Sequence, residues 1–418
     1  MKVLIVNFSD ADGGAARASL RLHLSLTAAG VDSVMVVCKK ETGLASVIGP
    51  TSKYMKGLNQ LRPSVDQIPL LRYKPKPGQL FSPSILPGLQ IEKLIAKLNP
   101  DILHLHWVSG GMFRPEQLAN VQIPIFWSLH DMWPFTGGCH YSDTCDKFKD
   151  SCGSCPVLGS KAHKDLSSAV QKRKQKAYGA KNNITVVGLS AWLAGLAKES
   201  SIFRNTNVVN LPNPIDSKMF SPFSKSHARE LLGLSEDKKL MLFGAMSSTQ
   251  DLRKGWLELR SALDLLDLDD VEVVIFGSNQ DQDKYEYPYP VTFMGTFRDD
   301  LSLKILYSAC DVMVVPSLQE NLANTIMEAL ACGLPVVGFD IGGNSDMVGH
   351  KLNGYLAEPL SVSDLAFGIR WVLCNDDYSL LSQAARTVVL EKFDSKKVAF
   401  QYVELYQRAL KALVEDGH

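Results

Sequence analysis

The chain has 418 residues, a formal net charge of zero, and a composition of 45% apolar and 21% charged residues. These values exclude a disordered or fibrous protein and predict two globular domains, each large enough to bury its own core. The neutral total conceals an asymmetry, because residues 1–215 carry 25 Lys and Arg against 14 Asp and Glu. A basic first half favours an anionic partner or an anionic membrane surface.

No apolar run approaches the ~20 residues that span a bilayer. The first apolar run, residues 3–6, is too short for the apolar part of a signal peptide and gives way at once to polar residues. We interpret this run as part of a first strand, and the sequence favours a cytoplasmic location.

Apolar strands and amphipathic helices alternate through the first half. Gly13 and Gly14 follow the first predicted strand, at 3–8, and precede a leucine-rich helix. Further strands are predicted at 34–37, 102–106, 123–129, 184–188 and 208–211, with helices at 91–98 and 169–178. Residues 43–90 are rich in Pro and Gly, and we interpret them as loop and short helices.

The pattern breaks at residues 213–222, where Asn and Pro recur without periodicity, as is typical of a linker. A second alternation follows, with strands predicted at 240–243, 271–276, 291–294, 311–315 and 336–339 and helices at 255–266 and 301–308. Such alternation predicts an α/β protein with a doubly wound parallel sheet in each half.

A strand–turn–helix segment near residue 320 carries two glutamates with seven residues between them. Glu320 follows the strand at 311–315, and Glu328 lies about two turns into the next predicted helix. A carboxylate at the carboxyl end of a parallel strand lies where open α/β sheets bind ligands, and the N–H groups that begin a helix favour phosphate. The segment therefore predicts a site for a phosphorylated sugar. A capped helix start with two surface acids is the structural alternative.

This glutamate pair, the Gly-Leu-Pro-Val-Val run at 333–337 and the turn at Gly342 and Gly343 resemble the donor-site signature of glycosyltransferase family 4, whose members are retaining enzymes of the GT-B fold. The resemblance covers nearly the whole chain. It implies two Rossmann-like doubly wound domains facing a cleft: an acceptor-binding domain at 1–212 with a Cys-rich insertion at 132–160, and a nucleotide-sugar-binding domain at 213–394. A last helix, at 395–418, is expected to cross back to the first domain.

The resemblance also implies roles for the residues of the signature. Glu320 would bind the hydroxyls of the donor sugar, and the amides of Asn321, Leu322 and Ala323 would contact the sugar or its phosphate. Glu328 would accept hydrogen bonds from the ribose hydroxyls. The family more usually has Phe-Gly-Leu at 322–324, so the sugar preference does not follow from this sequence.

Lys254 precedes a predicted helix, where a cation is unfavourable unless an anion lies there too. A diphosphate would supply that anion, so the resemblance implies that Lys254 stabilises the departing nucleotide while the sugar becomes oxocarbenium-like. Family members also carry an arginine after the glycine that ends the preceding strand, whereas this chain has Ala245 after Gly244. Arg253 is the candidate substitute. Such catalysis needs no metal ion.

Three features of the first half are candidates for the other side of the cleft. Gly13 and Gly14 either form an ordinary turn or, as in the family, line the cleft near the donor phosphate or acceptor. His130 follows a strand, where family members have a histidine near the donor sugar; packing is the alternative. His104 and His106 alternate along one strand and are expected to pack or to line the cleft floor.

Cys139, Cys145, Cys152 and Cys155 have five, six and two residues between them. The last pair has the spacing of a metal-binding knuckle, and four thiolates would close a structural zinc site. Free thiols and disulfides are the alternatives, and a reducing cytoplasm disfavours disulfides.

A dense cluster of cations lies on the predicted helix at 169–178: Lys172, Arg173, Lys174 and Lys176. A solvated helix face, attachment to an anionic membrane that carries a lipid-linked acceptor, and nucleic-acid binding are the three interpretations. Nucleic acid is disfavoured because no recognised binding module accompanies the charge.

Taken with the resemblance, these features predict a retaining glycosyltransferase that moves a sugar from a nucleotide-sugar to a glycan or lipid-linked acceptor, in the assembly of bacterial surface polysaccharide. The alternatives are a GT-B sugar-nucleotide epimerase and a non-catalytic protein that binds a nucleotide-sugar.

Overall fold

The computed structural model describes residues 1–244, 251–278 and 286–416. These residues divide into two compact units. The first comprises Met1–Pro214 together with the chain from Lys396 onward, and the second comprises Ile215–Ser395.

The first unit contains a seven-stranded sheet in which every neighbouring pair of strands is parallel. Its order is β3-β2-β1-β4-β5-β6-β7, so the direction of winding reverses between β1 and β4. The strands are β1 Lys2–Ser9, β2 Asp32–Lys39, β3 Val47–Ile48, β4 Ile102–Leu105, β5 Ile125–Leu129, β6 Ile184–Gly188 and β7 Asn207–Asn210. Ligands of open α/β sheets bind at the carboxyl ends of strands beside such a reversal.

Helices cover both faces of this sheet, and β4 and β5 are accordingly buried along their whole length. The helices of this unit are α1 Gly14–Ala28, α2 Lys53–Asp66, α3 Ile91–Leu98, α4 Leu166–Tyr178, α5 Ala191–Glu199 and, from the end of the chain, α13 Ser395–Asp416. Side chains cap several of them; for example, Asp165 accepts from the N–H of Ser168 at the start of α4.

The C-terminal helix α13 packs on the first sheet. Its Val398, Tyr402 and Tyr406 are buried in one core cluster with β1 and β2. The Tyr406 hydroxyl lies 2.6 Å from Nδ1 of His104. This explains why a histidine is buried in the middle of a strand: its ring is hydrogen-bonded rather than exposed.

The second unit contains a six-stranded parallel sheet of order β10-β9-β8-β11-β12-β13. Its strands are β8 Lys239–Gly244, β9 Val271–Phe276, β10 Val291–Phe293, β11 Val312–Val315, β12 Val336–Phe339 and β13 Gly354–Ala357. Its helices are α6 Lys225–Leu232, α7 Trp256–Asp264, α8 Asp300–Ala309, α9 Asn324–Ala331, α10 Asn344–Met347, α11 Val362–Leu373 and α12 Tyr378–Lys392. Winding again reverses between adjacent strands, here β8 and β11.

The predicted fold class is confirmed: both units are α/β, with doubly wound parallel sheets. One segment differs from the prediction. Residues 43–90 contain the fourteen-residue helix α2, followed by a 3-10 helix at Ile68–Arg72. The sequence concealed α2 because its buried positions are polar, Asn59 and Asp66, so no apolar stripe marks an inner face.

Candidate functional site

The segment between β11 and α9 carries Glu320, as the sequence predicted, and the structure brings Lys254 to it. The Lys254 ammonium lies 2.6 Å from Oε2 of Glu320. Both side chains are largely shielded, with 26% and 12% of their surfaces exposed. A close ion pair at the carboxyl edge of a parallel sheet places a cation and an acceptor where a ligand with an anionic and a hydroxylated part would bind.

Two glycines let the neighbouring loops approach this segment closely. Gly255 has φ +74, and a Cβ there would lie 1.7 Å from the carbonyl oxygen of Pro316. Gly342 has φ +54, and a Cβ there would lie 1.8 Å from the carbonyl oxygen of Glu320. No other residue type fits either position, so these glycines fix Lys254 and Glu320 at their short separation.

The start of α9 follows Glu320 directly. Asn321, Leu322 and Ala323 are buried, and Ala323, whose methyl side chain cannot accept a hydrogen bond, occupies the N-cap position. The N–H groups of a first helical turn favour an anionic ligand. The amide role that the family resemblance implies for these residues stays a prediction.

Glu328 lies in the second turn of α9 and is only 2% exposed. Its Oε2 accepts a hydrogen bond of 2.8 Å from the Tyr307 hydroxyl on α8. The carboxylate is therefore part of a buried hydrogen-bonded pair, and a ribose could reach only the side of the group that Tyr307 does not cover.

Arg253, the candidate substitute for the family's arginine, is held by Asp251. Its guanidinium donates to both carboxylate oxygens, at 3.2 and 2.7 Å. Its carbonyl accepts from the N–H of Leu318, which ties this loop to the Glu320 segment. The position of the missing arginine, Ala245, lies outside the described residues.

In the first unit, His130 follows β5 and meets His106 at the end of β4. Their rings are joined by a hydrogen bond of 2.9 Å between Nε2 of His130 and Nδ1 of His106. Burial lowers the pKa of His130 to about 4 and lowers that of His106 well below its usual range. Both rings are therefore neutral near pH 7, and each can donate or accept through one nitrogen.

The loop that carries His130 is fixed by Asp131. One oxygen of Asp131 accepts from the Trp133 N–H at 2.9 Å, and the other accepts from the Trp107 indole at 2.9 Å and from Nδ1 of His140 at 2.6 Å. Burial opposes the ionisation of Asp131, but the charge and hydrogen bond of His140 hold its pKa below the usual value. No pattern in the sequence indicates that His140, nine residues away, completes this network.

Gly13 and Gly14 mark the start of α1 beside the end of β1. Gly13 has φ +93 and faces open space, so its backbone is accessible to a ligand. On the other side of β1, a pocket of about 430 Å³ lies between β2 and α2, with Lys39, Lys40 and Lys56 in its walls. This pocket was not predicted, because α2 was not recognised from the sequence.

The four clustered cysteines of the insertion line one cavity of about 20 Å³, which is room for a single water or ion. All four are free thiols. Burial raises the pKa of Cys139 to about 12 and that of Cys152 to about 11. Within residues 1–244, 251–278 and 286–416, no three His, Cys, Asp or Glu side chains already form a metal-binding group.

The basic cluster on α4 is smaller than the sequence indicated. Lys174 is fully buried, and its ammonium donates to the carbonyls of Trp133 and Thr136 while lying 3.7 Å from the Trp133 ring centre. Arg173 forms an ion pair with Glu116. Only Lys172 and Lys176 are exposed to solvent. Throughout the described ranges, no helix has the combined length and apolar character needed to cross a membrane.

Two parallel Rossmann-like sheets, with an ion pair and a helix start at the carboxyl edge of the second, define a protein of the GT-B class. Residues 237–375 match the family model described as glycosyl transferases group 1. This match lies within the second unit, and there it confirms the resemblance to group 1 glycosyltransferases drawn from the sequence.

Curated relatives agree with this assignment. N-acetyl-alpha-D-glucosaminyl L-malate synthase of Bacillus anthracis is 24% identical over 83% of this chain and 83% of its own length. An uncharacterized glycosyltransferase of Methanocaldococcus jannaschii is 29% identical over 45% of this chain, and the alignment spans half of that relative.

Solved structures share the fold along nearly the whole chain. Sucrose-phosphate synthase from Thermosynechococcus elongatus superposes with a TM-score of 0.71 at 18% identity, covering 98% of this chain and 99% of that one. Anabaena HepE, solved in complex with UDP and glucose, has a TM-score of 0.62 at 18% identity, covering 98% of this chain and all of that one.

Proposed function

We propose that this protein transfers a sugar, with retention of anomeric configuration, from a nucleotide-sugar to a glycan or lipid-linked acceptor in bacterial surface polysaccharide assembly. The observation that carries the proposal is the ion pair of Lys254 with Glu320 beside the start of α9. A nucleotide-sugar has a diphosphate for the cation and the helix N–H groups, and sugar hydroxyls for the carboxylate.

Donor binding would separate the two groups of this ion pair, and each would bind a different part of the donor. The Lys254 ammonium would turn to the diphosphate, and the Glu320 carboxylate would accept from the sugar hydroxyls. As the glycosidic bond breaks, negative charge grows on the departing diphosphate, where the ammonium and the helix N–H groups stabilise it. The chemistry is then electrostatic, carried by groups that already lie in place.

We assign the acceptor to the first unit. His130 is held by His106 and by the loop that Asp131 fixes, so its ring has a defined direction. Because the low pKa keeps His130 neutral, we expect it to form a hydrogen bond with a sugar bound to the first unit rather than to supply a positive charge. Gly13 and Gly14 would lie along the same edge.

The names of relatives support a nucleotide-sugar donor. HepE was solved with UDP and glucose, and the Bacillus anthracis relative is named for a glucosaminyl transfer to malate. Neither name fixes the donor base, the sugar or the acceptor of this chain.

The proposal is tested by a donor screen. Purified protein is melted in the presence of UDP-, GDP- and ADP-sugars, because a ligand that binds the folded state raises its melting temperature. The protein and the stabilising donor are then incubated with oligosaccharide and polyprenyl-phosphate acceptors, and the masses of the products are measured by mass spectrometry. A glycosylated acceptor or slow donor hydrolysis supports the transferase. Binding with an unchanged donor indicates a binding protein, and an epimerised sugar nucleotide indicates an epimerase.

We also propose that the four-cysteine cavity takes a structural zinc ion. In support, backbone N–H groups point at the sulfurs: those of Leu158 and Val157 at Cys155, and that of Gly137 at Cys152. Hydrogen bonds from N–H groups stabilise a thiolate more than a thiol. Binding would require the sulfurs to lose their protons and to close around the ion.

The zinc proposal is tested by metal analysis of protein purified under reducing conditions. We expect about one zinc per chain, because four thiolates complete the coordination of one ion. The Cys152→Ser variant should lose this zinc and should melt at a lower temperature than wild type. Cys38→Ser, at a buried cysteine outside the cavity, is the control that should keep the metal. If wild-type protein contains no metal, the four cysteines are ordinary thiols and the zinc proposal is wrong.

A further inference from the structure

The helix α2 and the 3-10 helix after it expose an apolar surface to solvent. Its members are large apolar side chains at helical spacing, and we call them the α2 face: Tyr54, Leu58, Leu61, Val65, Ile68 and Leu71. Tyr54 is 77% exposed, Leu61 62% and Leu71 84%. Single exposed leucines are ordinary on protein surfaces, but a continuous stripe of this kind marks an interaction surface.

The orientation of α2 is the reverse of that of a normal surface helix. Its inner side is polar: the Asn59 amide donates to the Cys38 carbonyl at 2.9 Å, and Asp66 accepts from the N–H groups of Ser84 and Ile85 at 2.9 and 2.8 Å. These hydrogen bonds fix which side faces the protein. Water alone would favour the opposite orientation, so the outer apolar side must have a partner.

The charge around the α2 face is strongly positive. Residues 51–80 contain six cations and a single acid, Asp66. Arg62 donates to the carbonyls of Pro87 and Gly111, and Lys76 is ion-paired with Asp143, which leaves four exposed cations: Lys53, Lys56, Arg72 and Lys74. Asp66 is 1% exposed and lies on the inner side, so the outward-facing charge of this segment is entirely positive. A surface that is apolar along its centre and cationic at its margins is complementary to an anionic lipid bilayer.

We propose that the α2 face docks the protein onto an anionic membrane. Helix α2 would lie in the plane of the interface, with its apolar side chains among the acyl chains and its lysines among the lipid headgroups. The proposal moves the expected membrane contact from α4, where Lys174 is buried and Arg173 is ion-paired, to a segment that the sequence did not identify as a helix.

Docking in this way would present the neighbouring pocket to a membrane-borne substrate. Lys56, Gln60 and Pro63 of α2 form part of the wall of the 430 Å³ pocket, while Tyr54, Leu58 and Leu61 face outward. One helix thus separates the apolar surface from a pocket whose wall carries Lys39, Lys40 and Lys56 together with Glu41, to which Lys39 is ion-paired. This step rests on the proposed function: the acceptor would be a lipid-linked saccharide whose anionic head enters the pocket while its lipid stays in the bilayer.

The experiment measures sedimentation with vesicles made of equal parts phosphatidylglycerol and phosphatidylcholine, against vesicles of phosphatidylcholine alone. Wild-type protein should pellet with the first and much less with the second. Leu61→Ser with Leu71→Ser should lower the partition coefficient at least tenfold, because each leucine loses its burial in the acyl region. Lys53→Gln with Lys74→Gln should lower it roughly 25-fold, at about fivefold per cation.

Matched controls separate this surface from general hydrophobicity and charge. Leu231→Ser with Leu380→Ser removes leucines of similar exposure from other helices and should leave binding unchanged. Lys172→Gln with Lys176→Gln does the same for the exposed cations of α4. Melting temperatures of all variants are compared with wild type, since every substituted side chain is exposed and none should alter the fold.

Three results would overturn the proposal: no pelleting of wild-type protein at low salt, loss of pelleting only in the α4 variant, or unchanged pelleting of the Leu61 and Leu71 variant. A wild-type dimer in sedimentation that this variant dissociates would assign the α2 face to a second copy of the chain instead. Donor binding is measured in solution without lipid, so failure of the membrane proposal and failure of the transferase proposal give different results.

Discussion

Lys254 and Glu320 are 66 positions apart in the chain, yet their charged groups lie 2.6 Å from each other across two loops that glycines bring together. Each group is the charged hydrogen-bond partner of the other. A bound nucleotide-sugar would offer both a better partner, a diphosphate to the cation and hydroxyls to the carboxylate. In the proposed function, the ion pair would hold the two side chains in position until the donor replaces it.

Substitution of either member should reduce transferase activity much more than stability. A hydrogen bond to a charged group contributes ~1.5–3 kcal/mol, so Lys254→Met and Glu320→Gln should each slow turnover at least tenfold. Because both act on one bound donor, the double variant should lose less than the product of the single losses. Glu391→Gln and Lys392→Met, at exposed positions of α12, are controls. Wild-type kinetics in both single variants would remove the pair from the site.

Glu328 should affect nucleotide affinity as well as packing. Glu328→Gln keeps the volume and can still accept from Tyr307, so it tests the charge of the buried carboxylate. We expect weaker binding of the donor nucleotide in calorimetric titration, with a small change in melting temperature. Tyr307→Phe removes the hydrogen bond but keeps Glu328. If Glu328→Gln and Glu328→Ala change only stability, the residue is structural.

Gly342 should tolerate no side chain, because a Cβ there would meet the carbonyl of Glu320 at 1.8 Å. Gly342→Ala combines strain at φ +54 with displacement of the Glu320 segment, and should cost about 1–3 kcal/mol of stability together with donor affinity. Gly233→Ala is the matched control: it has φ +65 in the same unit, but its Cβ would face open space. Equal losses in the two variants would show that backbone strain alone, not the close approach, matters.

The buried histidines should make the first unit sensitive to acid. Burial lowers the pKa of His104 to about 3 and that of His130 to about 4, from 6.5. Between pH 6.5 and about 4 the unfolded chain binds protons that the folded chain does not, so stability falls as the pH falls through this window.

Each such histidine contributes up to about 1.4 kcal/mol per pH unit within the window. Melting temperatures at pH 7 and pH 5 should therefore differ less in His104→Gln than in wild type. His227→Gln, at an exposed histidine, should show the wild-type difference. A melting temperature of the first unit that does not change with pH would contradict the neutral state assigned to these rings.

The sequence sufficed for the fold because buried parallel strands are unbroken apolar runs. The strands at 184–188, 271–276 and 336–339 and the helix at 91–98 have the bounds that were predicted. The location of Glu320 was also predictable, because a residue a few positions beyond the end of such a strand lies near the carboxyl edge of the sheet.

Contacts between loops that are distant in the chain could not be predicted from the sequence. Nothing near Asp131 indicates that His140 binds it, and the pattern of residues 51–80 is misleading because α2 buries its polar side. The periodicity of apolar residues shows which side of a helix is apolar. It predicts which side is buried only if the apolar side of that helix faces the protein. The same limit applies to the α4 cations, of which Lys174 faces inward.

The central claim is the retaining transfer of a sugar from a nucleotide donor, and the anomeric configuration of the product tests it most directly. The donor identified by thermal shift is incubated with acceptor, and the new glycosidic bond is examined by NMR through the coupling of its anomeric proton. Retention predicts an α-linked product from an α-linked donor, formed by wild-type protein and lost in Glu320→Gln. A β-linked product, or an epimerised sugar nucleotide without any transfer, would contradict the account.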